Sequence, residues 1–170
     1  MTVRTALALS AALLLLACRQ SSEAKTTTAA RPDLITYFNS SFMAGPGDKW
    51  RIDRRGNVLF ADVQGHAIVT RHFTVGTAGF DQISDALGPP IPALPCDFIG
   101  NDPGGGEIGW VTGAGKSSYK FLTNCHWRSP ATERTALAAL ARINRAAAMM
   151  RLWSARGTVV SREPFVWPPR

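Results

Sequence analysis

Residues 49–75 carry the pattern that most limits the fold. In Lys49-Trp50-Arg51-Ile52-Asp53 apolar and charged residues alternate with the period of a half-buried strand. Arg54-Arg55-Gly56-Asn57 turns the chain, residues 58–63 form a second strand, Gln64-Gly65 a second turn, and residues 66–75 continue the meander. Along that last run Ala67, Val69, Arg71, Phe73 and Val75 fall on one side, and His66, Ile68, Thr70, His72 and Thr74 on the other. Strands joined by turns this short pair antiparallel, and an antiparallel sheet packs one face on a core.

The flanking sequence supplies the other elements. Leu34-Ile35-Thr36-Tyr37-Phe38 is a β-rich run, extended by Phe42-Met43 and broken by a turn at Gly45-Pro46-Gly47-Asp48. Apolar residues at 80, 83, 86 and 87 predict a short amphipathic helix, closed by Gly88-Pro89-Pro90. Residues 88–95, with four prolines, read as an extended crossing loop, and residues 96–106 as a loop rich in Gly and Asp. Residues 107–112 and 118–123 form a hairpin around Gly113-Ala114-Gly115-Lys116. Ser129 and Pro130 are N-cap and first-position residues for a long helix, with Glu133 complementing its dipole and Gly157 as its stop. Its apolar stripe is Leu137, Leu140, Ile143, Ala147 and Met150; Arg134, Arg142, Arg145 and Arg156 fall opposite. Residues 158–161 add a short edge strand, and residues 162–170 an extended, proline-rich tail. The expected architecture is α+β: an antiparallel β-meander with a short helix, a disulfide-tied hairpin and a C-terminal amphipathic helix packed on the sheet, all in one domain over 34–161.

The N-terminus reads as an address. Arg4 precedes an apolar run from Ala6 to Leu16, about eleven residues and too short for a bilayer core of ~30 Å. The run ends in Leu15-Leu16-Ala17-Cys18. This resembles the lipobox of bacterial lipoproteins. The resemblance implies a signal peptide over 1–17, acylation of Cys18 as the new N-terminus, and anchorage in the cell envelope. Arg19, in place of an aspartate, implies the outer membrane, facing the periplasm. Residues 18–33 then hold the lipidated cysteine and a flexible Ser/Thr/Ala-rich tether of ~20 Å typical reach. Export to an oxidising compartment leaves Cys96 and Cys125 as an even pair, expected to form a disulfide.

The chain has a formal charge of +7, but its basic residues are scattered, without the Lys/Arg run of a nucleic-acid binder. No nucleic acid is expected as a partner. The membrane through Cys18, an envelope protein, or an anionic lipid or glycan fits the address better.

Most catalytic constellations fail on spacing. Gly113-Ala114-Gly115-Lys116-Ser117 would need glycine at position 110 and a following helix to be a phosphate loop; the residue is Trp110 and a strand pattern follows. Gly104-Gly105-Gly106 lacks the context of a dinucleotide site. His66 and His72 share a strand face about 20 Å apart, too far for one metal, and His126 has no matching third ligand. A hydrolase would draw on Ser117 or Ser118 with His126 and an acidic residue, or on Asp97, Asp102 and Glu107 in the acidic loop 97–107, yet no Gly-x-Ser-x-Gly elbow occurs. No catalytic, cofactor or metal residue is assigned. Candidate partner contacts are Trp110 and Trp127, the tail aromatics Phe165 and Trp167, and, on the arginine face, Arg142 and Arg145.

One further likeness involves Phe38-Asn39-Ser40-Ser41-Phe42, Arg51-Ile52-Asp53, the meander, Phe80 to Leu87 and the late hairpin. Over 34 to about 124 this order is similar to small bacterial inhibitors of thermolysin-type metalloproteases, the emfourin type. It implies a protease-inhibitor alternative and assigns no inhibitory residue here. The leading expectation is a non-enzymatic, lipid-anchored binding domain; the periplasmic hydrolase is the other alternative. Cys18→Ala is expected to move the protein from the membrane fraction to the soluble one on fractionation, and continued membrane attachment would refute the lipid anchor.

Overall fold

The computed structural model describes residues 31–41, 45–64, 66–98, 104–122 and 125–164. The signal segment, Cys18, most of the tether, Phe42-Met43, Asp102, Phe165 and Trp167 lie outside them.

The fold is α+β. Strands β1 (Leu34–Ser41), β2 (Gly45–Asp53), β3 (Asn57–Gln64) and β4 (Ala67–Thr74) form the antiparallel meander. Helix α1 (Gly76–Leu87) and strand β5 (Cys96–Phe98) follow. Then come the hairpin β6 (Gly105–Thr112) and β7 (Gly115–Leu122), strand β8 (Cys125–Trp127), helix α2 (Pro130–Ser154) and strand β9 (Thr158–Pro164). The seven-stranded sheet has the order β7-β6-β1-β2-β3-β4-β9, and β5 and β8 pair separately. The hairpin thus crosses from the meander's far side to dock antiparallel on β1, with Tyr37 opposite Ile108.

One sheet face is the core. Ile35 and Tyr37 of β1, Trp50 and Ile52 of β2, Val58 and Phe60 of β3, Val69 of β4, Ile108 and Trp110 of β6, and Tyr119 and Phe121 of β7 are all buried. Tyr37 stacks on Trp50 at 5.0 Å between ring centroids, and on Phe121 at 6.2 Å. Burial, then the charge of Asp48, pushes the Tyr37 phenol well above its ordinary pKa. Phe80, Ile83 and Leu87 of α1 and Ala139, Ile143, Ala146, Ala147 and Met150 of α2 close over this layer.

The sequence reading misplaces several local features, each for a tertiary reason. Gly45-Pro46-Gly47-Asp48 belongs to β2 rather than to a turn, with a register irregularity between Phe38 and Ser40 on its partner. Buried Asp48 is held there by a two-pronged contact from Arg151 at 2.8 and 2.9 Å. Helix α1 starts four residues before Phe80, at Gly76, without a side-chain cap to announce it. Residues 96–98, expected as loop, form β5 through pairing with β8. Residues 31–33, expected in the tether, lie against the domain: Arg31 pairs with Asp81, and the Asp33 amide donates to the Val111 carbonyl. Strand β9 continues to Pro164, so the first residues of the expected tail pair with β4.

Ile143, Ala147 and Met150 of the expected α2 stripe are buried and Leu140 packs against the core, but the stripe also takes in alanines and loses Leu137. Ala136, Ala139, Ala146 and Ala147 are buried, while Leu137 is 55% exposed. Small side chains let α2 pack closely on α1 over a sheet face crowded by tryptophans and phenylalanines, and close packing decides over side-chain hydrophobicity. The N-terminus follows the sequence signal: the Ser129 hydroxyl accepts from the Thr132 amide at 3.2 Å, with Pro130 at the first helical position.

Two glycines are required by geometry. Gly56, at φ 78°, would place a Cβ 2.1 Å from the Gly76 carbonyl oxygen. Gly88, at φ 64°, ends α1 with its amide donating to Ser84.

The Cys96–Cys125 disulfide is formed, with 5.6 Å between Cα atoms, and ties β5 to β8 across 29 residues of sequence. A closed loop of this size restricts the unfolded chain by about 3.5 kcal/mol in the chain-entropy account. The double variant Cys96→Ala/Cys125→Ala is therefore expected to fold with the same circular dichroism and to lose stability of that order in urea denaturation.

Candidate functional site

Side chains opposite one another across a ladder share a face, so the registers also define the surface away from the helices. One row across it is Lys120, Glu107, Phe38, Lys49, Ala61, Thr70 and Ser161. The next is Ser118, Gly109, Thr36, Arg51, Leu59, His72 and Thr158. No described helix or strand covers these rows. Gly109 leaves room for the Thr36 hydroxyl, which a Cβ there would meet at 2.6 Å.

This open face is hollow. A depression of roughly 650 Å³ is lined by Thr36, Phe38, Lys49, Arg51, Leu59, Ala61, Thr70 and Glu107, with Tyr37 and Trp50 from the strands beneath. A second of roughly 270 Å³ is lined by Leu34, Arg51, Asp53, Asn57, Val58, Leu59 and His72. Arg51 and Leu59 line both, so the two adjoin. Phe38 is 43% exposed, a large apolar ring presented to solvent beside two cations.

The charges of this face differ from those elsewhere. Arg31, Arg54, Arg71, Arg128 and Arg151 are each engaged with carboxylates. Lys49 and Arg51 form no ion pair among the described residues, nor do Lys116 and Lys120 at the β7 side. Asp53 is close in sequence but occupied. It accepts from the Arg55 and Asn57 amides at 2.9 Å and from the Asn57 side chain at 2.9 Å. The Asn57 side-chain bond is the main cause that lowers its pKa. Lys49 and Arg51, two residues apart on one strand face, are about 7 Å apart along the backbone.

A third hollow, of roughly 480 Å³, lies on the helix side among Asn39, Asp48, Asp62, Gln64, Arg71, Arg151 and Ser154. Its charges already neutralise each other: Asp48 with Arg151, and Asp62 with Arg71 at 2.7 Å. It reads as an internal salt-bridged seam at the end of α2, while the open face keeps free cations around an apolar floor.

The chain matches no family model, and no curated protein and no solved structure matches it. The site therefore rests on this chain's own geometry.

The residues singled out from the sequence scatter over the molecule. Trp110 is 2% exposed and belongs to the core, so it cannot serve as a surface anchor; β6 pairs on both sides and points it inward. Trp127 is half-buried on β8. Arg142 leaves the expected solvated face of α2: its guanidinium donates to the Leu87 carbonyl and, at 2.8 Å, to the Pro89 carbonyl, capping the end of α1. Arg145 is exposed on α2. Asp97 is exposed and gripped by Arg128, whose Nε donates to both carboxylate oxygens at 3.2 and 3.1 Å and whose Nη2 donates at 2.9 Å. That fork holds the Asp97 carboxyl below its usual range. Glu107 sits on the open face instead, so those two members of the expected acidic cluster belong to different sheets. Gly113-Ala114 is the turn of the β6–β7 hairpin, with the Ala114 amide donating to Thr112 Oγ1.

Sequence reasoning missed Phe38, Thr36, Leu59 and Thr70 as a group. The alternation of Lys49 and Arg51 against Trp50 and Ile52 is a visible signal for their face. Which neighbours join them depends on strand order.

Arg151→Ala is expected to lower stability by about 2 kcal/mol in urea denaturation, because it leaves the buried Asp48 carboxylate without its partner; the half-exposed arginine keeps the loss below that of a fully buried pair. A loss within error would reassign the seam as energetically neutral.

Proposed function

We propose that the chain is a lipid-anchored bacterial envelope lipoprotein whose domain is a non-enzymatic binding module, with the open sheet face as its binding surface. The observation that carries the site is the unpaired Lys49 and Arg51 beside exposed Phe38 over a hollow of roughly 650 Å³. Concave sites with an apolar floor and a few polar groups are the usual form of ligand sites. The anchor reading rests on Leu15-Leu16-Ala17-Cys18 and on the cysteine count. With Cys96 and Cys125 joined, Cys18 is the remaining thiol of three. Acylation of Cys18 and a tether up to residue 30 would hold the domain at the outer membrane, facing the periplasm, within reach of envelope polymers. Among the described residues no helix is long and apolar enough to cross a membrane.

The acidic-loop hydrolase is the weaker reading because Glu107 and Asp97 lie on different sheets. A general acid or base needs a partner group poised within hydrogen-bond reach. Among the described residues Glu107 has no such contact with Lys49, Arg51 or Lys120, and Asp97 is committed to Arg128 on the other sheet.

The test is NMR of the full chain titrated with bacterial envelope extract. Shifts are expected to cluster at Thr36, Phe38, Arg51, Leu59 and Thr70. Shifts centred on α2, or none at all, would overturn the site.

A further inference from the structure

Resting on that reading of the face, we infer that its ligand is an acidic saccharide: a short glycan chain carrying carboxylate or phosphate groups. Four properties of the face select this chemistry.

The first is charge. Among the described residues Lys49 and Arg51 stand unpaired at the centre of the face, and Lys120 flanks it beyond Glu107. An arginine and a lysine about 7 Å apart match anionic groups on a ligand lying along β2, and the arginine fork suits a carboxylate or phosphate. The second is the mixture of polar groups. Thr36 and Thr70 offer hydroxyls, and Glu107 offers an acceptor that an anion would avoid but a sugar hydroxyl would use. The third is Phe38, whose exposed ring supplies a flat apolar surface for the C–H face of a pyranose, with Leu59 and Ala61 in the same hollow. The fourth is length. The two adjoining hollows share Arg51 and Leu59, which places a cation at the boundary between successive units of a linear ligand.

Other occupants fit less well. An extended peptide gains its affinity from main-chain pairing at a sheet edge; here the hollow lies over β1, β2, β3 and β4, whose backbone groups are taken by ladder partners on both sides. A bilayer surface is broad and flat, whereas Lys49 and Arg51 line a depression and Phe38 sits within its wall. A nucleic acid strand would meet a single exposed aromatic ring among the described residues, where successive bases each need a stacking partner.

The experiment is isothermal titration of the full chain with four probes: tetragalacturonic acid, the uncharged galactotetraose, an oligothymidylate of ten nucleotides, and glycerophosphoglycerol, the water-soluble headgroup of phosphatidylglycerol. Saturable binding of the acidic tetrasaccharide alone is expected. Lys49→Ala and Arg51→Ala should each weaken it about tenfold, the fold-change of one charge-assisted hydrogen bond. Phe38→Ala should weaken it by about fivefold, because it removes apolar area from the hollow and leaves the charge unchanged. Arg134→Ala, which removes the same charge from the exposed side of α2, should leave affinity unchanged. Equal weakening with Arg134→Ala, equal binding of the neutral tetrasaccharide, or preferential binding of the oligonucleotide or the headgroup would overturn the inference. So would the absence of saturable binding to the acidic tetrasaccharide. If envelope extract still shifts the open face while the acidic saccharide does not bind, the ligand class fails and the site stands; if neither does, both fail.

Discussion

Everything in this domain depends on how α1 and α2, packed against each other, close over the aromatic layer of the sheet. Trp50, Trp110, Phe60 and Tyr37 raise that layer, and a helix presenting leucines there would be held off. Ala139, Ala146 and Ala147, with Ile143 and Met150 between them, let α2 settle on α1 over them. Close contact at interior density is worth more than extra methylenes on the helix that would force a gap. Because both helices are drawn to this side, the other face of the sheet has no described cover, and that is where Phe38, Lys49 and Arg51 meet.

The same packing sorts the charges. At the end of α2, Arg151 reaches the buried carboxylate of Asp48, and Arg142 turns back to the carbonyls that end α1. An arginine stem runs along apolar surface while its head finds acceptors, so arginines read from the sequence as a solvated stripe become connectors between elements. The open face has no helix end among the described residues, its Asp53 is occupied by Asn57 and the Arg55 amide, and Glu107 makes no ion pair there with Lys49, Arg51 or Lys120. The contrast between the neutralised seam and the unpaired face supports a binding role for one and a structural role for the other.

How much of this is legible in the sequence depends on the range of the interaction. The meander, the β6–β7 hairpin, the cap at Ser129 and the pairing of Cys96 with Cys125 all follow from local periodicity, turn chemistry or cysteine count. Start points set by distant partners are not legible: Gly76 opens α1 without a capping side chain, and Gly45–Asp48 extends β2 because β1 pairs beside it and Arg151 holds its end. Trp110 illustrates the limit at the site. Its strand is visible in the sequence, but an aromatic residue on a hairpin reads equally as anchor or core until β6 is seen to lie between β1 and β7.

The sequence by itself determined the period of each strand, the α+β class, the disulfide and the side of β2 on which Lys49 and Arg51 lie, since alternation is a property of the backbone at two residues per repeat. Only the tertiary structure decided which side of the sheet the helices cover and that β6 comes to rest beside β1. Those choices gather Thr36, Phe38, Lys49, Arg51, Leu59, Thr70 and Glu107, scattered across residues 36–107, into one hollow. Strand order is selected by long-range packing over the whole core, and no local window of sequence contains it.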